Sequence, residues 1–423
     1  MERIDTREIV YTILMDVETG NTFSNLAIEK ALRKHRFSEK SDRAFITRLA
    51  EGVTERRLTL DYVIGCFSKL PVKKLKPAIR VLLRMGIYQM LYMDSVPDAA
   101  AVNETVRLTK KHGLAGLSGY VNGVLRSVKR GREEITYPDL SVEYSVPAFL
   151  SEKLSKAYPD RAGQILKSLY EERPTSLRVN QSVISRDALI EKLRTAGVTT
   201  EIGHYTDRTI LVSDYDSVSR LPGFRDGAFA VQDESSVAAV LAAGIAPTDT
   251  VWDICAAPGG KTTLAAELAG EGMVYSMDLS EEKLPRIEEN VERLGLSDRV
   301  RIMAHDARTA FDLPEPNVVI ADLPCSGLGI MGRKNDIKYH VDEAKLTSLV
   351  ALQREILSNI EGYIPTGGTL LFSTCTINPD ENEGNTSWFL EQFPNYKKTD
   401  ERLFLQGVDD CDGFYYAVLR KDA

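Results

Sequence analysis

Val251-Trp252-Asp253-Ile254-Cys255-Ala256-Ala257-Pro258-Gly259-Gly260-Lys261-Thr262 is an apolar run that enters a loop of small residues and leaves it as a helical pattern. In doubly wound sheets of parallel strands, ligands sit beyond the carboxyl ends of the strands, where Gly259 and Gly260 let the backbone come close. Lys261-Thr262 resembles the end of a phosphate-binding loop, but the G-x-x-x-x-G-K spacing fails because residue 255 is cysteine. A nucleotide-like cofactor is expected, and a nucleoside triphosphatase is disfavoured.

Toward the C-terminus, short apolar runs alternate with helical stretches, which predicts an α/β domain over 231–423 with strands at 250–255, 272–277, 300–304, 317–321 and 368–373. Gly413-Phe414-Tyr415-Tyr416-Ala417-Val418-Leu419 suits a last sheet strand. Asp278 ends the second of these strands, where a carboxylate commonly accepts hydrogen bonds from ribose hydroxyls. Asp306 follows the third and either reaches an adenine amino group or caps its own loop. Two cysteines follow two further strands, in Asp322-Leu323-Pro324-Cys325-Ser326-Gly327 and Ser373-Thr374-Cys375-Thr376. An isolated cysteine is usually a small buried apolar group, but in ligand-facing loops a reactive thiol is the better reading.

Toward the N-terminus the texture changes twice. Residues 140–230 mix helix and strand, with strands at 177–180 and 209–213 and a helix at 187–195, as in a small α+β domain. Residues 1–130 show apolar positions at three- and four-residue spacing, which predicts an all-helical bundle of six or seven helices. Charge is segregated along the same line. Residues 1–130 carry 23 Lys and Arg against 14 Asp and Glu, whereas the rest carries 30 against 47, within a net charge of -8. A basic module joined to an acidic one suggests that the first steers a polyanion. Lys69, Lys73, Lys74, Lys76, Arg80 and Arg84 form one basic group, and Lys110, Lys111, Arg126, Lys129, Arg130 and Arg132 another.

Composition excludes some classes. No run of eighteen apolar residues is present, and the mixed charges of Met1-Glu2-Arg3-Ile4-Asp5 do not form a secretory signal, so a cytoplasmic protein without membrane contact is expected. Five scattered cysteines and five scattered histidines argue against a disulfide framework or a metal site.

Two thiols beside a carboxylate suit one demanding reaction. Carbon 5 of cytosine is a poor nucleophile, and adding a thiolate at carbon 6 turns the ring into an enamine-like species that can accept an electrophile. Asp322 would then bond the polar edge of the base, and a general base would remove the carbon 5 proton before the thiolate leaves.

With these residues quoted, the chain resembles the Sun/RsmB group of RNA 5-cytosine methyltransferases, in which a NusB-like RNA-binding bundle precedes a Rossmann-like catalytic domain. The resemblance rests on Val231-Gln232-Asp233-Glu234-Ser235-Ser236, the 255–261 loop, Pro324-Cys325-Ser326, and Ser373-Thr374-Cys375-Thr376 followed by Asn378-Pro379 and Glu381-Asn382-Glu383. Tyr120-Val121-Asn122-Gly123-Val124-Leu125-Arg126 looks like the closing helix of the NusB-like module. The resemblance implies Cys375 as nucleophile, Cys325 in product release and Asp322 beside the base. It also implies S-adenosylmethionine held by Cys255, Ala256, Ala257, Pro258, Gly259, Gly260, Lys261, Asp278, Asp306 and Asp322. The implied substrate is a cytosine of small-subunit (16S) ribosomal RNA, naked or in an early assembly intermediate, and a monomer is expected. A transfer RNA substrate is the nearest alternative, and a non-catalytic RNA-binding assembly factor is the alternative of another class. Methylation of DNA or of a small molecule would use the same cofactor loop.

Overall fold

The computed structural model describes residues 5–20, 22–34 and 40–422. The chain divides into two compact units. Met1–Leu166 together with Arg333–His340 form the first, and Lys167–Gly332 with Val341–Ala423 form the second. The small α+β region and the large sheet therefore share one unit, while the helical unit runs beyond residue 130 and takes back eight residues from the C-terminal half.

In the helical unit seven α-helices run from Thr6–Gly20 to Ser118–Gly131 among the described residues, as the periodicity predicts. Pro77–Tyr92 is the central helix. It starts on a proline, whose missing N–H costs nothing in a first turn, and it is buried continuously from Val81 to Met90. Gly52 on the helix Lys40–Glu55 lets the Tyr88 ring in so closely that a Cβ at position 52 would lie 1.9 Å from it. The charge grouping needs correction here. Arg84 is buried, donating to both Asp61 oxygens at 2.7 Å and to Glu18 at 2.8 Å, and Arg80 also pairs with Glu18. Both basic residues hold the bundle together internally, whereas Lys69, Lys73, Lys74 and Lys76 are exposed.

The segment 333–340 belongs to this unit by its contacts. Asp336 accepts the Ser24 backbone N–H at 2.5 Å, and the Asn335 side chain donates to Glu55 at 3.1 Å. The Tyr339 hydroxyl lies 2.9 Å from the carbonyl oxygens of Glu55 and Ser145, with the Arg57 guanidinium 4.0 Å over its ring.

The second unit holds two sheets. The small antiparallel sheet contains β1 (Thr175–Val179), β2 (Thr199–Ile202), β3 (Thr209–Ser213) and β4 (Phe229–Val231), in the order β2-β3-β1-β4. The large sheet contains β5 (Thr250–Asp253), β6 (Met273–Asp278), β7 (Val300–Ala304), β8 (Val318–Asp322), β9 (Thr369–Thr374), β10 (Tyr396–Phe404) and β11 (Phe414–Lys421), in the order β10-β11-β9-β8-β5-β6-β7. Strands β5 to β9 are parallel, and β11 runs antiparallel to both of its neighbours, β9 and β10. The central strand β8 is apolar up to its terminal Asp322 and β9 is buried along its whole length, because both faces are covered. The Rossmann-like fold expected for the C-terminal half is the one observed, preceded by a helical bundle and a small α+β sheet.

Arg178 on β1 ties the two sheets together. Its fully buried guanidinium donates to Gln232 at 2.8 Å and to Thr263 at 2.9 Å, and it pairs with Glu267 on the helix Gly260–Ala269. Arg178→Ala leaves Glu267 buried with its main counter-charge gone, which is expected to cost about 3–5 kcal/mol in urea unfolding. Pairing Arg178→Met with Glu267→Leu should recover most of that loss.

Candidate active site

The strand order reverses between β5 and β8, since the chain leaves β5 toward β6 and β7 and returns on the other side as β8 and β9. Neighbouring strands thus send their connections to opposite faces and leave a crevice at their carboxyl ends. The 255–261 loop, Asp278 and Asp322 lie at strand ends that open on it.

The loop is shaped by backbone conformation. The Gly259 N–H donates to the Ala256 carbonyl at 2.7 Å, and Gly259 adopts φ +100°, a region that disfavours side chains. The Asp278 carboxylate accepts the Ala257 N–H at 3.2 Å and the Ser280 N–H at 3.0 Å, so it braces the loop from the neighbouring strand. Asp306 caps its own loop. It accepts the Arg308 backbone N–H at 3.0 Å and two guanidinium bonds at 2.9 and 2.7 Å, which hold its carboxyl down at about 2. Cys255 lies in the loop with its thiol pushed up by burial.

Beneath the loop sits Asp253, fully buried on β5. One of its oxygens accepts the Thr262 hydroxyl at 2.6 Å, and the other has no hydrogen-bond partner among the described residues. Burial raises its pKa to about 7, against the pull of the Thr262 bond and of Lys261.

Asp322 ends β8. Lys261 donates to one carboxylate oxygen at 2.6 Å and Ser373 on β9 to the other at 2.8 Å. Both carboxylate oxygens are thereby fixed. The β8–β9 pairing sets Asp322 beside Ser373, and the loops that follow bring Cys325 and Cys375 together with their Sγ atoms 3.2 Å apart. The Cys325 thiol is pushed well above its ordinary range, first by its hydrogen bond to Cys375 and then by burial. A Cys325 that keeps its proton is a hydrogen-bond donor to the Cys375 sulfur.

Two further residues contribute to the site, Ser373 and Glu381. Ser373 stood inside a quoted motif, and only the pairing of β8 with β9 shows that it reaches Asp322. Glu381 stood in the Asn378-Pro379 to Glu383 motif, and it turns out to be a wholly buried carboxylate between the two cysteine loops. The signal was the acidic residue among asparagines so soon after Cys375.

The domain is a doubly wound α/β fold with a glycine loop at its switch point and two thiols facing one another close to a carboxylate. Comparison with known proteins carries this further. A family model described as 16S rRNA methyltransferase RsmB/F matches residues 240–420, the NusB family matches 4–130, and a ferredoxin-like domain of RsmF/B-like methyltransferases matches 146–219. The chain is 34% identical to the probable ribosomal RNA small subunit methyltransferase B of Synechocystis, over 93% of this chain and 91% of that one. It is 33% identical to the protein of the same description in Bacillus subtilis, with both chains covered in full, and 32% identical to ribosomal RNA small subunit methyltransferase B of Escherichia coli K12, with 96% of each covered. Among solved structures, PH0851 superposes with TM-score 0.82 at 25% identity over 99% of both chains. A methyltransferase homolog from Pyrococcus horikoshii superposes at 0.61 with 24% identity, over 68% of this chain and all of that one, and supports the fold alone. The chain belongs to the RsmB/F methyltransferase family, in the arrangement that carries an N-terminal NusB domain.

Asp253 gives a pH prediction. Its folded pKa of about 7 lies above the ordinary carboxylate value, so the folded state holds a proton that the unfolded chain has already released. Its stabilising contribution is complete below about pH 4 and is lost as the pH rises to about 7, at about 1.4 kcal/mol per pH unit. Asp253→Asn should flatten that decline in urea unfolding measured across the window.

Proposed function

We propose that the protein transfers a methyl group from S-adenosylmethionine to carbon 5 of a cytosine in 16S ribosomal RNA through a covalent bond to Cys375. The observation that carries this reading is the 3.2 Å approach of Cys325 to Cys375 at the ends of adjacent strands, beside an Asp322 fixed by Lys261 and Ser373. Cofactor loops also serve other chemistries, but a thiol pair facing an oriented carboxylate suits addition to a pyrimidine ring. The descriptions of the full-length relatives support ribosomal RNA over transfer RNA and over a non-catalytic role.

The cleft suits the proposed cofactor chemically. Its strand ends carry Asp278, Asp306 and Asp322, oxygen acceptors that match ribose hydroxyls and an adenine amino group. Residues 255–261 would hold the nucleoside against the Gly259 turn. When bound, S-adenosylmethionine supplies an electrophilic methyl group.

The chain's own residues account for the rest. The Cys375 thiolate adds to carbon 6, and the ring's electrons move toward carbon 5. Asp322 bonds the polar edge of the base as charge builds there. Once carbon 5 carries the new group, its proton leaves to a base, the ring double bond re-forms, and the carbon–sulfur bond breaks to return the Cys375 thiolate. Cys325, within reach of that sulfur, assists this release. A cytosine in an unpaired loop or flipped from its stack satisfies the access requirement.

The test is methyl transfer from labelled S-adenosylmethionine to unmodified 16S ribosomal RNA, with the labelled base mapped. Wild-type protein should label a single cytosine, Cys375→Ala should fall to background, and Cys325→Ala should accumulate a denaturant-resistant protein–RNA adduct. Label confined to transfer RNA would move the substrate, and a fully active Cys375→Ala would remove the covalent mechanism.

A further inference from the structure

The two loops that present the thiols are joined below the cleft by one carboxylate. The Ser326 N–H and hydroxyl, immediately after Cys325, donate to Glu381 at 2.8 and 2.5 Å. From the other loop the Asn378 side chain donates to Glu381 at 2.9 Å, while Thr376, next to Cys375, meets the Ser326 hydroxyl at 2.7 Å. Gln353 of the helix Glu343–Glu361 donates to Glu381 at 3.3 Å and to the Pro324 carbonyl at 2.8 Å, and Asn385 in turn donates to Gln353 at 2.6 Å. Ser326, Gln353, Thr376, Asn378, Glu381 and Asn385 are all buried.

Burying a carboxylate is costly, and this one is compensated by four donor contacts drawn from three segments. Apolar packing could join the loops as tightly, but it would not set direction. Hydrogen bonds on both carboxylate oxygens fix the Cys325 turn against the Cys375 turn in distance and orientation. The addition step asks only that Cys375 reach carbon 6. Release asks that Cys325 keep its place beside the Cys375 sulfur while the carbon–sulfur bond breaks. The inter-loop geometry therefore bears most on the second step.

We infer that Glu381 is a positioning residue for product release, acting through Ser326 to hold Cys325 against Cys375, an inference that rests on the covalent mechanism proposed above. The change that probes it is Glu381→Gln, which keeps the size of the side chain and turns one acceptor oxygen into a donor facing Ser326 or Asn378. Cys375 is untouched in this variant. The adduct should therefore form and then persist as it does in Cys325→Ala, even though Cys325 is present.

The measurement is the steady-state amount of denaturant-resistant protein–16S RNA adduct, run with S-adenosylmethionine on wild type, Glu381→Gln, Ser326→Ala, Cys325→Ala and Glu381→Gln/Cys375→Ala. Circular dichroism of each variant checks the fold. Glu381→Gln should raise the adduct about tenfold over wild type, the scale of one lost hydrogen bond to a charged group. Ser326→Ala should shift it less in the same direction, and the double variant should show none. Slow turnover of folded Glu381→Gln with adduct at the wild-type level would overturn the inference, because a merely structural role slows every step alike. If Glu381→Gln does not fold, Ser326→Ala decides on the same criterion. No adduct even in Cys325→Ala would overturn the covalent reading and this inference with it, whereas adduct in Cys325→Ala alone would overturn only this one.

Discussion

Strands β5 and β8 lie side by side, yet the chain reaches β8 only after building β6 and β7 on the far side of β5. Everything chemical in the second unit follows from that crossing. Adjacent parallel strands whose connections leave in opposite directions cannot close over their own carboxyl ends, so a crevice stays open there. Lys261, in the first helical turn after β5, and Asp322, at the end of β8, face one another across it and form a 2.6 Å ion pair. The next neighbour, β9, contributes Ser373 to the same carboxylate, and Cys375 follows two residues later, just past the end of the strand.

The parts of this arrangement that were legible in sequence are those that burial dictates. Strands β7 and β3 fall where alternation and apolar runs place them, and β5, β6, β8 and β9 differ by a residue or two at their ends. Three strands were missed, all at sheet edges: β4 is apolar but only three residues long, and the other two are polar. β10, with Lys397, Lys398, Asp400, Glu401 and Arg402, lies at the edge of the large sheet, and β2 lies at the edge of the small one. Edge strands are exposed, and polar residues there guard against pairing with other chains, so these two leave no apolar signature. Charge was similarly misleading at Arg80 and Arg84, because composition cannot tell a solvated guanidinium from one enclosed by Glu18 and Asp61.

For the site, the sequence supplied the residues without their relations. The order of the cysteine and aspartate motifs predicts which strand ends they occupy, but adjacency of β8 and β9 is a fact of three dimensions. Asp306, read as either ligand contact or loop cap, is engaged by Arg308 on both oxygens, and Asp278 supports the Ala257 amide. Glu381 shows the limit most clearly. Its motif was visible, but fifty-five residues separate it from Ser326, and nothing local in the chain links them.

One feature of the helical unit bears on how such a protein is inherited. Residues 333–340 are encoded within the stretch that builds the second unit, yet Asp336 and Tyr339 complete hydrogen bonds at Ser24, Glu55 and Ser145 of the first. No single cut in the chain therefore yields two finished bodies. A recombination joint near residue 166 would give a bundle without its returning segment and a second half carrying eight residues shaped for an absent host. Two modules that read as beads on a string are interleaved, and exchange of either one alone is penalised by the folding of the other.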